Sequence, residues 1–249
     1  MEPDRYLALL AADVASIREV ARTADGRAVA VPTCPEWTLD DLVRHVAHAY
    51  LNVAARRLRL PDDVPPQDLS GEDPVAALDR GHAELLARLK GRDPAESCGG
   101  HPDTVGFWIR RMAHETAMHR VDAELAVHGR AAPIPPELAV DGIDETLAVF
   151  VWQGPRYWPV DWSAHLVDWD GAWVRLATAD RAWRVTVDAE GTQVGPDSGG
   201  EPSAEVSGAP DPMLRWLWNR GSAGEVSARG DGAVLDRLSR LLTAATRVG

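Results

Sequence analysis

Lysine is almost missing from this chain, where Lys90 stands alone against 25 arginines. With the abundant alanine, that bias suggests a GC-rich genome and carries no mechanistic information. Cysteine occurs twice, as Cys34 and Cys98. Two are too few for a disulfide framework, and both are expected to be reduced. Positive charge is in deficit, with a net charge of −12, which argues against nucleic acid and anionic membranes as partners. Before residue 152 there are 16 basic against 25 acidic residues (−9), and after it 10 against 13 (−3), so neither half is a basic module. No apolar run approaches the roughly 18 residues of a membrane span. The N-terminus MEPDRYLALL begins with charges, unlike a signal peptide, and the expected location is cytoplasmic. Internal repeats and low-complexity segments are also missing.

What remains is a globular composition: 249 residues, 45% apolar and 26% charged, enough for one large or two ordinary domains. Residues 4–24 repeat Leu7, Leu10, Val14, Ile17 and Val20 at helical spacing. VPTCPEWT breaks that pattern, and Thr38 with Asp41 forms a capping-box signature for a second helix to about Leu58. Pro74 opens a third helix running to about Lys90. Asp103 or Thr104 caps a fourth, which ends at His128 before Gly129. Residues 133–152 read as a fifth helix, or a helix with an extended end.

The texture changes near residue 150. Eight of the ten tryptophans lie between Trp152 and Trp218, where short β-like runs alternate with turns. WSAHLVDWDGAWVRLAT suggests two strands about Asp170-Gly171. RAWRVTVDAEG and SAEVSGAP add a third and a fourth, and GEVSARGD a last one. DPMLRWLWNRG reads as a short helix and AVLDRLSRLLTAATRV as a C-terminal amphipathic helix. The expected organisation is a helical domain over 1–150 and an α+β domain over 151–249.

Chemistry concentrates in RMAHETAMHRVDAE on the fourth helix. Glu115 and His119 stand four apart, on one helical face and roughly 6 Å apart at Cβ. Asp122 follows on the same side, and His114 is turned about 100° away. An isolated E-x-x-x-H more often marks a solvated polar face. The second helix changes the balance, because it carries His45 and His48 at i, i+3. Two helices offering ligands inward is how metal sites are built in bundles. Asp41 is a candidate to orient His45 through its other ring nitrogen. An N, N, O set leaves open positions, as catalytic metals require. Zinc suits it best, with nickel, iron or manganese as other candidates.

Other features have plainer readings. Cys34, in a turn before a helix, is expected to be structural rather than nucleophilic. Ser163 with His165, or Ser222, could seed a hydrolase triad, but there is no G-x-S-x-G elbow. His82 and His101 read as surface residues, and the second-half tryptophans as core and groove lining.

VPTCPEWTLDDLVRHVAHAY, followed some 70 residues on by MAHETAMHRVDAE, resembles the mycothiol-dependent maleylpyruvate isomerase family. That resemblance implies a DinB-like metal-binding four-helix bundle followed by a small α+β, sterol-carrier-like domain. It implies His45, Glu115 and His119 as metal ligands, with His48 outside the core motif. It places the family's cationic residue at Arg220, in LRWLWNR. The implied activity is a metal- and mycothiol-dependent isomerisation or thiol S-transfer on a small electrophile, by a monomer or weak homodimer. A metal-dependent hydrolase on the same bundle, and a non-enzymatic ligand-binding or regulatory protein, are the competing readings.

Overall fold

The computed structural model describes residues 1–24, 28–58, 67–98, 104–157, 162–188, 190–221 and 224–246. His101, Asp103 and Ser222 lie outside the described residues. The chain divides into two compact units, Met1–Pro133 and Ile134–Gly249. The division comes before the expected boundary at residue 150, because the fifth helix belongs to the second unit.

The first unit is a four-helix bundle of α1 (Pro3–Thr23), α2 (Leu39–Asn52), α3 (Pro74–Leu89) and α4 (Val105–His128). The α1 stripe from Leu7 to Val20 is buried as its spacing predicts. Thr38 and Asp41 close the expected capping box on α2. Asp73 caps α3 and Thr104 caps α4. Gly129 ends α4 with φ 66°, a left-handed conformation that costs glycine little. A π-helical turn, Val53–Arg57, extends α2. Gly81 allows α3 to approach α2 closely, since a Cβ there would lie 3.0 Å from the Ala47 carbonyl oxygen.

Helix α4 is buried nearly all round, including Arg111, His114, His119, Arg120, Asp122 and Glu124. Polar groups so placed must find partners. Arg120 lies 3.0 Å from Asp13 on α1, and its Nη1 donates to Glu124 and to the Ala132 carbonyl. VPTCPEWT is more than a break. Strands β1 (Ala30–Val31) and β2 (Cys34–Thr38) pair as a small hairpin packed beside α2 and α4.

In the second unit, α5 (Pro136–Glu145) continues through a π-helical stretch, Thr146–Gln153, into the short α6 (Gly154–Tyr157), with no extended end. Five strands form one sheet in the order β5-β4-β3-β6-β7. They are β3 (Trp173–Ala177), β4 (Ala182–Asp188), β5 (Gly191–Pro196), β6 (Ala204–Ser207) and β7 (Ser227–Gly230). The expected hairpin at Asp170-Gly171 is corrected in its first arm. Ser163–Leu166 is a short helix, α7, although Asp170 and Gly171 do form a tight turn with φ 47° and 77°. Strand β3 pairs instead with β4, antiparallel, and with β6, parallel, while β4 also pairs with β5, a strand not expected from the sequence. Helices α8 (Pro210–Leu217) and α9 (Gly232–Ala245) complete the unit. Trp162, Trp169, Trp173, Trp183 and Trp218 are buried, whereas Trp152 is exposed. The indole N–H groups of Trp183 and Trp218 bond to Asp144 and Thr146.

Candidate functional site

Helices α2 and α4 are held in register one residue from Glu115. Thr116 donates its hydroxyl proton to the Met112 carbonyl, so the fully buried Tyr50 must donate to Thr116, at 2.6 Å. On this frame His45 Nε2 and His119 Nε2 each lie 3.2 Å from the same oxygen, Glu115 Oε1. The three ligand atoms all fall within 4.8 Å of one another, and no other residue joins this cluster among the described residues. His48 is therefore outside it.

The site is closed on one side. His119 keeps 4% of its side-chain exposure, against 27% for His45 and 18% for Glu115. The Nδ1 of His119 meets Asp122 Oδ2 at 3.0 Å, and Asp122 is wholly buried. Thr33, in the β1–β2 turn, donates to the other Asp122 oxygen. This thread from hairpin to carboxylate to imidazole fixes the ring so that Nε2 points at Glu115. Asp41 does not play the corresponding part for His45, because its carboxylate is engaged by the Thr38 amide and hydroxyl. His45 instead packs against Trp37 of β2, with ring centroids 4.7 Å apart and the planes tilted by 41°. The second oxygen of Glu115 accepts from Arg111 Nη2 at 2.8 Å.

Burial pushes the Glu115 carboxyl up, but His119, His45 and Arg111 together hold it well below the usual carboxylate range. Burial likewise pushes His119 down, yet Glu115 and Asp122 raise it to about 9. With no ion bound, the trio is thus an imidazolium–carboxylate pair. The donors also suit a metal. Tetrahedral bonds of about 2.0–2.1 Å place ligand atoms roughly 3.3 Å apart, close to the 3.2 Å of both histidine–Glu115 separations. The buried carboxylate behind His119 is the partner that ligating histidines require.

Residues 7–124 match the family model of the mycothiol maleylpyruvate isomerase N-terminal domain. The matched segment takes in most of the four-helix bundle. Crystal structures of mycothiol-dependent maleylpyruvate isomerase and of a point mutant of it share the fold. The first has TM-score 0.55 and 15% identity, the second 0.56 and 13%, and each comparison covers 92% of this chain and 93% of the other. No curated protein sequence matches the chain. Among the described residues no helix is long and apolar enough to cross a membrane.

Arg220 lies in the second unit, past the end of α8, and is buried. Its Nη1 donates to the Trp218 carbonyl at 2.6 Å, and its guanidinium stands 5.6 Å from the Trp218 ring centroid. Cys34 is half-buried and Cys98 is buried, and no disulfide joins them. His82 is half-buried, near Tyr50, rather than on the surface. Thr33, Trp37 and Arg111 escaped the sequence reading as parts of the site. The P-x-C-P-x-W-T segment carries a signal for Trp37, whereas Thr33 stands at its unspecified second position. Arg111 completes an R-x-x-x-E-x-x-x-H stripe on α4.

Proposed function

We propose that this protein is a metal- and mycothiol-dependent isomerase or thiol S-transferase acting on a small electrophile, with His45, Glu115 and His119 as the metal ligands. The observation that carries this reading is the convergence of two imidazole nitrogens on one carboxylate oxygen, within a bundle that matches the mycothiol maleylpyruvate isomerase N-terminal domain. A divalent ion held there, zinc being the best match to N, N, O donors, supplies the Lewis acidity that keeps a thiol deprotonated near neutral pH.

The residues of this chain have separate tasks in that reading. Asp122 and Thr33 keep His119 in the tautomer whose Nε2 lone pair faces the site. Trp37 covers the His45 ring and restricts water on that flank. The exposed edges of His45 and Glu115 leave the approach for a thiol and its substrate. No protein cysteine is required as nucleophile. Arg220 is the proposed holder of a substrate carboxylate, for which a guanidinium fork is well shaped.

The test is metal analysis of tag-free protein combined with titration by mycothiol. Wild type should carry about one divalent ion, and thiol should bind only the metal-loaded form. His45→Ala, Glu115→Ala and His119→Ala should each fold and lose most of the ion. Full occupancy in all three variants would refute the ligand assignment. Metal binding with no thiol binding, together with ester or amide hydrolysis, would favour the hydrolase instead.

A further inference from the structure

Arg111, Glu115 and His119 follow one another at intervals of four on α4, and Arg111 is buried with 7% of its side chain exposed. The two oxygens of Glu115 are used differently. Oε1 meets both histidines, while Oε2 is taken by Arg111 at 2.8 Å. We propose that Arg111 sets the denticity of Glu115: by occupying Oε2 it leaves a single oxygen, Oε1, for a metal held with His45 and His119. The inference rests on the metal reading above and concerns how that metal is held.

The physical basis is competition for Oε2. Chelation through both oxygens would place the metal and the Arg111 donor on the same oxygen and weaken a charge-assisted hydrogen bond, among the strongest polar contacts available inside a protein. It would also leave a buried guanidinium less well compensated, which is disfavoured. Arg111 therefore acts as a positioning residue. A carboxylate confined to one oxygen occupies one coordination position and leaves another for an exogenous ligand. The guanidinium also draws charge from the carboxylate, making Glu115 a weaker donor. Both effects favour an ion content with few ligands, such as zinc, over manganese, which prefers more oxygen ligands.

The experiment uses the full chain loaded with Co2+ and reads its visible absorption, which is intense for four-coordinate and weak for higher-coordinate cobalt. Wild type should show the intense spectrum. Arg111→Met should bind Co2+ with bands weakened several-fold, and its preference for Zn2+ over Mn2+ should fall about tenfold, the lower end of what outer-shell partners are worth. Arg111→Lys, which still offers Oε2 a cationic donor, should stay near wild type. A folded, Co2+-binding Arg111→Met with unchanged spectrum and unchanged preference would overturn the inference and reduce Arg111 to a structural ion pair. If that variant does not fold, X-ray absorption of the wild-type zinc protein decides. A carboxylate carbon at the short distance of bidentate chelation overturns the proposal, and its absence from that shell supports it. Wild type that takes up no metal at all is a separate failure, overturning the metal reading and this inference with it.

Discussion

Replacing Asp122 by asparagine tests whether the buried carboxylate behind His119 governs metal affinity. The substitution keeps the shape of the side chain. The amide oxygen can still accept from His119 Nδ1, and the amide nitrogen can face Thr33, whose hydroxyl turns to accept. What is lost is the charge on an acceptor 3.0 Å from the imidazole and wholly excluded from water. Hydrogen bonds to charged groups contribute about 1.5–3 kcal/mol against about 0.5–1.5 for neutral ones. The difference of roughly 1–1.5 kcal/mol corresponds to about tenfold in metal affinity. A second effect opposes it. In the metal-free protein Glu115 and Asp122 raise His119 to about 9, so a proton competes with the metal below that pH. Removing the Asp122 charge weakens the proton's hold as well. Chelator-competition titrations with Zn2+ should therefore show the full tenfold loss above about pH 9 and a smaller one near neutrality. Unchanged affinity at the higher pH in a folded variant would refute the reasoning, as would a loss that grows as pH falls.

Arg220→Lys keeps the charge but loses the planar fork, and should lower kcat/KM for a carboxylate-bearing electrophile with mycothiol by about 10-fold or more while metal content stays constant. Because Arg220 also bonds the Trp218 carbonyl after α8, a fall in melting temperature with normal turnover would assign it to the fold alone. Burial raises the Asp13 carboxyl to about 6, outweighing the nearby Arg120. Its favourable contribution is therefore complete below about pH 4 and is lost as pH rises through about 6, by up to about 3 kcal/mol. Asp13→Asn should show a shallower decline than wild type across that window in denaturant melts, and parallel curves for the two proteins would contradict the assignment.

The sequence and the fold part company at identifiable places. Helices α1, α3 and α4 were legible because their signals are local: apolar spacing on α1, Pro74 behind Asp73, Thr104 at a start and Gly129 at a stop. The same holds for β4, β6 and α9. The β1–β2 hairpin was not legible, because strands of two and five residues with an interrupting proline show no alternation. They are held by packing beside α2 and α4. The Asp170-Gly171 turn was read correctly as a turn, yet it joins no paired strands, since a turn signal is local and strand pairing is not. The fifth helix falls in the second unit, where it packs on α8, a contact that its own periodicity cannot specify.

For the site, the sequence by itself determined which residue types share a helical face: Glu115, His119 and Asp122 on one helix, His45 on another. A period of 3.6 residues settles that without any tertiary contact. Only the tertiary structure decided which imidazole is anchored and how. Asp122 belongs to His119 and Asp41 to Thr38, because one carboxylate is buried beside a ring nitrogen and the other lies exposed at a helix start. It also decided that Trp37 and Thr33, some 80 residues before Glu115 and His119, form the flank and the anchor of the same centre. Contacts between distant segments depend on how whole faces pack, and no local pattern encodes them.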